Sequence, residues 1–332
     1  RAYSSVNSTA QDIDSSTSRY KKDKRAETIQ RKLRMSEGKS LEELGPRESK
    51  DPNINIDPEE LEVDTHDPGL YNYEKTATGV DSIVKITQEQ IQMFHDQGYL
   101  VVNNVLSEDE IEGAKLGIKA LIEGDNQDCK GVQIEGKLRG KDLTIEQKHS
   151  AVRKLASFVE HDSRLKHVSE HPQILSLLTT LMGEEPLMFQ DMALLKPPQG
   201  REKPWHQDCA YFNMPLGSLV VGVWIALDEA TAENGCLHII PGSHKEGPML
   251  HFKRRDWQIC DTDVEVKRDV MVPLEPGSCL FWHGMTHHGS PTNLSGRRRR
   301  ALQFHYKPQS SKSISKEERL GIFGGEMVGA EC

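Results

Sequence analysis

Four residues of this chain could do chemistry together: His206 and Asp208, two positions apart, with His288 and Arg299 further along. Two imidazoles and one carboxylate form a donor set that takes one face of Fe(II) and leaves the opposite positions open. A guanidinium suits an anionic ligand, because its fork pairs a carboxylate through two parallel hydrogen bonds. His206-Gln207-Asp208 by itself is weak, since a chain with 14 histidines and 51 acidic residues should contain such a triplet about once by chance. Spacing to the other residues must carry the argument.

In an extended strand, positions i and i+2 face one side, so His206 and Asp208 can reach the same ion while Gln207 turns away or twists. The segment Phe281 to Ser290 ends a strand and offers His283, His287 and His288, of which one ligand is needed. Spacing leaves that choice open. The run Arg297-Arg298-Arg299-Arg300 invites a nucleic-acid or import-signal reading. Strand alternation divides it instead: if Arg299 faces inward, so do Arg297, Ala301, Gln303 and His305, with Leu302, Phe304 and Tyr306 on the other face. A buried guanidinium needs a charged partner, which a dicarboxylic co-substrate or a protein carboxylate would supply.

Strands must hold these side chains. After Pro186 short apolar runs alternate with Pro-Gly, Asn-Gly and Gly-Ser punctuation, an all-β pattern. The expected strands are Leu187 to Leu195, Leu219 to Leu227, Cys236 to Ile240, Val270 to Val272, Ser278 to Trp282 and Arg299 to Tyr306. Ahead of them the pattern is helical. Capping boxes start helices at Thr87 with Gln90 and at Ser107 with Glu110, and Gly98 stops the first before a strand, Tyr99 to Val102. Ile111, Ala114, Ile118, Leu121 and Ile122 make a helical stripe, and helical spacing returns from Ile145 to Met182 through Val152, Leu155, Phe158 and Val159, then Ile174, Leu177, Leu178 and Leu181. The fold class is therefore mainly β, a double-sheet jelly roll with an N-terminal helical layer.

Residues 1–78 are polar, a basic stretch (Lys21 to Arg34) preceding an acidic one, and read as a disordered tail ahead of a folded domain at 79–332, with order beginning near Ile83. Asp51, Asn53, Asn55, Asp57 and Glu62 fall at calcium-loop offsets, but Ile56 replaces the turn glycine, and Pro52 and Pro58 disfavour flanking helices. Net charge −9 and pI near 5.9 give no electrostatic footprint for nucleic acid. Cys129, Cys209, Cys236, Cys260, Cys279 and Cys332 show no CxxC pair, which argues against a disulfide framework and for a reducing compartment. No run of 18 apolar residues exists, so no membrane span is expected. The opening Arg1-Ala2-Tyr3-Ser4-Ser5 resembles a mitochondrial presequence processing site, whereas Ala330-Glu331-Cys332 is not a peroxisomal tripeptide. An intracellular location is expected: mitochondrial on those first residues, otherwise cytoplasmic or peroxisomal.

The ordered set Phe94 to Tyr99, His206-Gln207-Asp208, Trp224, Glu233 to Leu237, Pro241-Gly242-Ser243-His244, His288-Gly289-Ser290, Asn293 and Arg299 resembles the phytanoyl-CoA dioxygenase family, from about Ile86 to Pro308. The resemblance implies a double-stranded β-helix of cupin-like form that binds Fe2+ and 2-oxoglutarate, with ascorbate as a reductant. It implies His206, Asp208 and His288 as ligands, because the family's third ligand opens the His-Gly-Ser run, and Arg299 on the distal carboxylate. Gln207, Trp224, Ser290 and Met192 would line the 2-oxoglutarate pocket, with Lys154 as a second positive contact; the plain alternative for Met192 and Trp224 is core packing.

Halogenating relatives lack the carboxylate ligand, so Asp208 points to hydroxylation of a small organic or acyl substrate with O2, giving succinate and CO2. Lys253-Arg254-Arg255 could meet the phosphates of an acyl-CoA or form a solvated loop. Two other classes stand beside this reading: a metal-binding β-helix scaffold without turnover, and an RNA-binding protein using Lys21 to Arg34. Oligomeric state is not written in the sequence.

Overall fold

Alternation after Pro186 sorts apolar residues to two faces, and a computed structural model, which describes residues 66–134, 138 and 141–325, shows both faces used. Seven strands form one sheet in the order β2 (Tyr99–Val102), β12 (Cys279–His283), β7 (Val221–Ala226), β14 (Arg299–Pro308), β5 (Pro186–Lys196), β4 (Val152–Ala156), β3 (Val132–Ile134). Five form a second in the order β1 (Lys75–Thr76), β11 (Val270–Val272), β8 (Leu237–Ile239), β13 (His288–Ser290), β6 (Lys203–His206). A two-stranded ribbon, β9 (His251–Lys253) with β10 (Trp257–Ile259), stands apart from both. Pairing is antiparallel except between β1 and β11. Two facing sheets with crossed strand order make the expected double-stranded β-helix.

The larger sheet is covered on both sides. Leu302, Phe304 and Tyr306 of β14 pack outward with Val223 and Ile225 against helices α1 (Gln88–Gln97), α2 (Glu108–Glu123), α4 (Ser163–Ser169) and α5 (Pro172–Met182). The inner face meets the smaller sheet through Ala226, Leu280, Ala301, Leu237, Ile239 and Val272. Both expected capping boxes are formed, and Gly98 ends α1 with φ of 78°, a left-handed conformation that glycine reaches without a Cβ penalty. Helix α6 (Lys316–Phe323) closes the described chain, with Phe323 buried beside the ribbon residue Trp257.

Several expectations need correction. The helical spacing read through Val152 and Leu155 is broken: α3 (Ile145–Ala151) stops at Val152, whose φ of −72° and ψ of 123° are extended, and β4 pairs with β5. Val152 and Leu155 reach the core from either conformation, so hydrogen bonding to a waiting sheet edge decides. Order also begins ahead of Ile83 and of the boundary at residue 78. A 3-10 turn at Pro68–Tyr71 buries Leu70 and Tyr71, and β1 pairs with β11. Arg297 is exposed and faces Glu229, so it does not share the inward side with Arg299. Cys260 is disulfide-bonded, which its scattered spacing did not announce; Cys129, Cys209, Cys236 and Cys279 are free and buried. Residues 1–65, with the basic stretch, the calcium-loop offsets and the presequence-like start, lie outside the described residues. Among the described residues no helix is long and apolar enough to cross a membrane.

Candidate active site

The smaller sheet brings the three donors together. Register places His288 of β13 opposite His206 of β6, with ring centroids 4.2 Å apart, and the chain turns after His206 through a 3-10 turn that begins at Asp208. Asp208 Oδ1 lies 3.5 Å from His206 Nε2 and 3.6 Å from His288 Nε2. All three residues are buried, and their ligand atoms fall within 4.8 Å of one another. His206 Nδ1 donates to the Pro204 carbonyl at 2.7 Å and His288 Nδ1 to the Thr286 carbonyl at 3.0 Å. With each Nδ1 proton so occupied, each Nε2 lone pair faces the shared space. Burial, reinforced by neighbouring His206, pushes the His288 imidazole down to about 3, so the ring is neutral at pH 7. Neutral imidazoles and a carboxylate are the protonation states that metal ligation requires.

The larger sheet supplies the other wall of the same cavity. Inner-face rows run Lys196 opposite Arg299, Lys154 opposite Leu194 opposite Ala301, and Met192 opposite Gln303 opposite Trp224. Arg299 is buried with its Nη1 donating to the Gly235 carbonyl at 2.6 Å, its guanidinium 5.0 Å from the centre of the Trp224 ring, and its Nε without a partner. No protein carboxylate pairs with it among the described residues. Burial lowers it to about 10, so it keeps its charge. The Asn234-Gly235 turn explains part of that placement: Asn234 accepts from Thr231 N and donates to the Glu229 carbonyl, which leaves the Gly235 carbonyl aimed at Arg299. Asn293 fastens the strands together by donating to the carbonyls of Lys196, Pro197 and Arg297.

Met192, Trp224, Ser290, Lys154 and Arg299 line one cavity with the three donors. Gln207 does not. Its amide donates to the carbonyls of Gly247 and Met285 and accepts from Met249 N, so it ties two loops behind the site and is satisfied there. That corrects its expected place in the co-substrate pocket, since alternation turns it away from His206 and Asp208. His283 and His287 also stand apart: His283 packs near His244, and His287 lies buried behind the sheet with its Nε2 unpartnered. Arg255 does not form a phosphate-binding surface, because it is buried between Glu202 and Asp261.

Three residues escaped the reading of the sequence. Lys196 is buried and donates to Ser290 Oγ at 2.8 Å and to the Pro291 carbonyl at 2.5 Å, so burial, then the nearby Arg299, push its ammonium well below the usual range. Only the fold of the 290–293 loop creates that environment. Trp282 and His305 both donate to Asp208 Oδ2, at 2.8 and 2.9 Å. Alternation from Arg299 put His305 on the inner face, yet its partner could not be seen without the second sheet.

Comparison with known proteins agrees with this arrangement. A family model described as phytanoyl-CoA dioxygenase (PhyH) matches residues 94–301. A phytanoyl-CoA dioxygenase of Arabidopsis thaliana is 31% identical over 253 residues, covering 66% of this chain and 88% of that protein. The peroxisomal phytanoyl-CoA dioxygenase of Rattus norvegicus is 27% identical over 248 residues, covering 69% and 71%. Among solved structures, EctD from S. alaskensis with 2-oxoglutarate and 5-hydroxyectoine superposes with a TM-score of 0.57 at 20% identity, over 81% of this chain and 88% of that one. The epimerase SnoN in complex with Fe3+, alpha ketoglutarate and nogalamycin RO gives 0.56 at 20% identity, over 69% and 86%. At those identities the structures speak to the fold, whereas the match across most of the folded region speaks to ancestry: the chain belongs to the phytanoyl-CoA dioxygenase family of Fe(II)/2-oxoglutarate oxygenases.

Proposed function

We propose that this protein is a non-haem Fe(II)- and 2-oxoglutarate-dependent hydroxylase that acts on a small organic or acyl substrate. The observation that carries the reading is a buried His206-Asp208-His288 cluster sharing one cavity with a buried Arg299 that has no carboxylate partner among the described residues. The donor set suits Fe(II), and an unpaired buried guanidinium is costly unless a ligand brings the missing anion. His206, Asp208 and His288 would hold the metal. Arg299 and Ser290 would take the distal carboxylate of 2-oxoglutarate, with Trp224 and Met192 as walls and Lys154 as a second cation. Lys196 joins this group through its bond to Ser290 Oγ, which orients the hydroxyl.

Iron with 2-oxoglutarate and O2 supplies the oxidation, in which one oxygen atom ends in succinate and the other in the hydroxylated product while CO2 leaves. The chain's own contribution is geometric. Residues 79–332, with the 66–78 segment at the edge of the smaller sheet, form the catalytic unit. The pinned Nδ1 protons fix both imidazole orientations, and the surrounding Trp282, Phe212 and Trp224 keep the ligand atoms from bulk water. Along the cavity wall Lys203 pairs with Asp256 and Arg255 with Glu202, so those charges neutralise one another.

The test is succinate formation by the purified full chain with Fe(II), 2-oxoglutarate, O2 and ascorbate as reductant. Metal-dependent succinate above the metal-free control is expected even before the substrate is known, and it should rise when the right substrate is added from a panel of acyl and small organic compounds. Stoichiometric metal binding with no succinate under any of these conditions would instead favour a scaffold without turnover.

A further inference from the structure

The two oxygens of Asp208 are used differently. Oδ1 faces the Nε2 atoms of His206 and His288, while Oδ2 accepts from the Trp282 indole N–H at 2.8 Å and from His305 Nε2 at 2.9 Å. A carboxylate only accepts, so the His305 proton in this bond sits on Nε2. His305 Nδ1 has no partner, and the ring lies among Phe189, Phe212 and Trp282. Its reward for that setting is the contact with Asp208.

Both donors come from the larger sheet, and a missing side chain lets them meet. Gly222 of β7 pairs with Trp282 on one side and with His305 on the other, so the three form one row across the sheet. A Cβ at position 222 would fall on the Trp282 indole ring. Glycine weakens a strand interior, and its presence in a fully buried strand often marks a close approach by another group. Here the approach is that of the indole, which stands nearly perpendicular to the His305 ring, at 84° with centroids 5.8 Å apart, and both reach the same oxygen.

From this geometry we infer that Trp282, His305 and Gly222 are positioning residues for the carboxylate ligand: by occupying Oδ2 they commit Asp208 to bind through Oδ1 alone. The inference rests on the metal-site reading above. A carboxylate held to one oxygen leaves free a coordination position that a two-oxygen contact would take, and such outer partners are worth about 10–100-fold in metal affinity or activity. Gly222 acts one step further back, by admitting the indole.

The experiment is anaerobic equilibrium dialysis of Co(II) against the full-length protein. Trp282→Phe, His305→Leu, His305→Gln and Gly222→Ala are compared in the native background and in combination with Asp208→Ala, with thermal melts to establish folding. In the native background Trp282→Phe and His305→Leu should each weaken Co(II) binding about 10–100-fold. His305→Gln, whose amide can still donate, should recover part of the loss, and Gly222→Ala should follow Trp282→Phe. In the Asp208→Ala background none of the four should change the affinity further, because no carboxylate remains to be held. Equal losses in both backgrounds, or losses under about twofold in the native one, would overturn the inference and leave the metal site standing. Failure of the unaltered protein to bind one Co(II) would overturn the metal site itself. Trp282→Phe keeps an aromatic ring in the same slot, so it answers the question if a His305 variant does not fold.

Discussion

The two sheets of this protein divide the chemistry between them. The smaller sheet is built from strands of two to four residues, yet it carries His206 and His288 and launches the turn that carries Asp208. The larger sheet, with strands as long as eleven residues, supplies Lys154, Met192, Trp224 and Arg299, together with the Trp282 and His305 donors behind Asp208. Short strands deliver ligands from their ends, where the backbone can turn. Long paired strands deliver a register, so side chains four strands apart fall into rows on one face. Metal affinity should therefore fail through the smaller sheet and through the Trp282 and His305 donors that the larger one lends it, and co-substrate affinity through Arg299 and its neighbours on the larger.

Asp208→Ala should have the largest effect. Loss of a ligand weakens metal binding further than any other single substitution and abolishes turnover, and full 2-oxoglutarate consumption by that variant would break the assignment. Phe304→Ala tests the outer face of the larger sheet, where the ring is fully buried under the helices. Chemical denaturation should show a loss of about 3–5 kcal/mol, while the fraction still folded binds metal normally. Arg299→Leu tests the inner face of the same strand. It should leave Fe(II) affinity intact but weaken 2-oxoglutarate binding by about 2–5 kcal/mol, as truncating one partner of a buried charge pair does. Isothermal titration of the metal-loaded protein would measure this, and parallel loss of metal would erase the division between the sheets.

The smallest effect concerns pH. Burial, then the positive charges of Lys203 and Arg153, push Lys154 down to about 8. The ammonium is charged below that value and neutral above it, so its help to an anionic ligand is present at pH 7 and fades as pH rises through about 8. Lys154→Met should weaken 2-oxoglutarate binding at pH 7 by about fivefold or less and flatten this part of the pH profile. A decline above pH 8 that persists in the variant would assign it to another group.

The chain alone fixed a good deal about the larger sheet. The strands around Leu187 to Leu195 and Arg299 to Tyr306 were legible to within two residues at each end, because period-two alternation over a long run is a strong local signal. The same alternation divided the four consecutive arginines without choosing among them, and the resemblance named Arg299. Helix starts at Thr87 and Ser107 were equally plain, since a capping box is complete within four residues. The ordered motifs, rather than the near-chance His206-Asp208 pair, carried the family and its ligand set.

What only the tertiary structure decided is whatever depends on groups far apart in the chain. Strands β6 and β13, of four and three residues, are too short to show a period, and exist because they pair with each other. The Val152–Ala156 segment carries helix-compatible spacing and becomes a strand because the edge of β5 is free to accept it. Gln207 sits between two site residues and belongs to neither, for its amide finds three partners on the far side. The arrangement behind Asp208 needs Gly222, Trp282 and His305 from three adjacent strands to meet a residue from the opposite sheet. No window of sequence contains that contact, because it is a product of sheet packing.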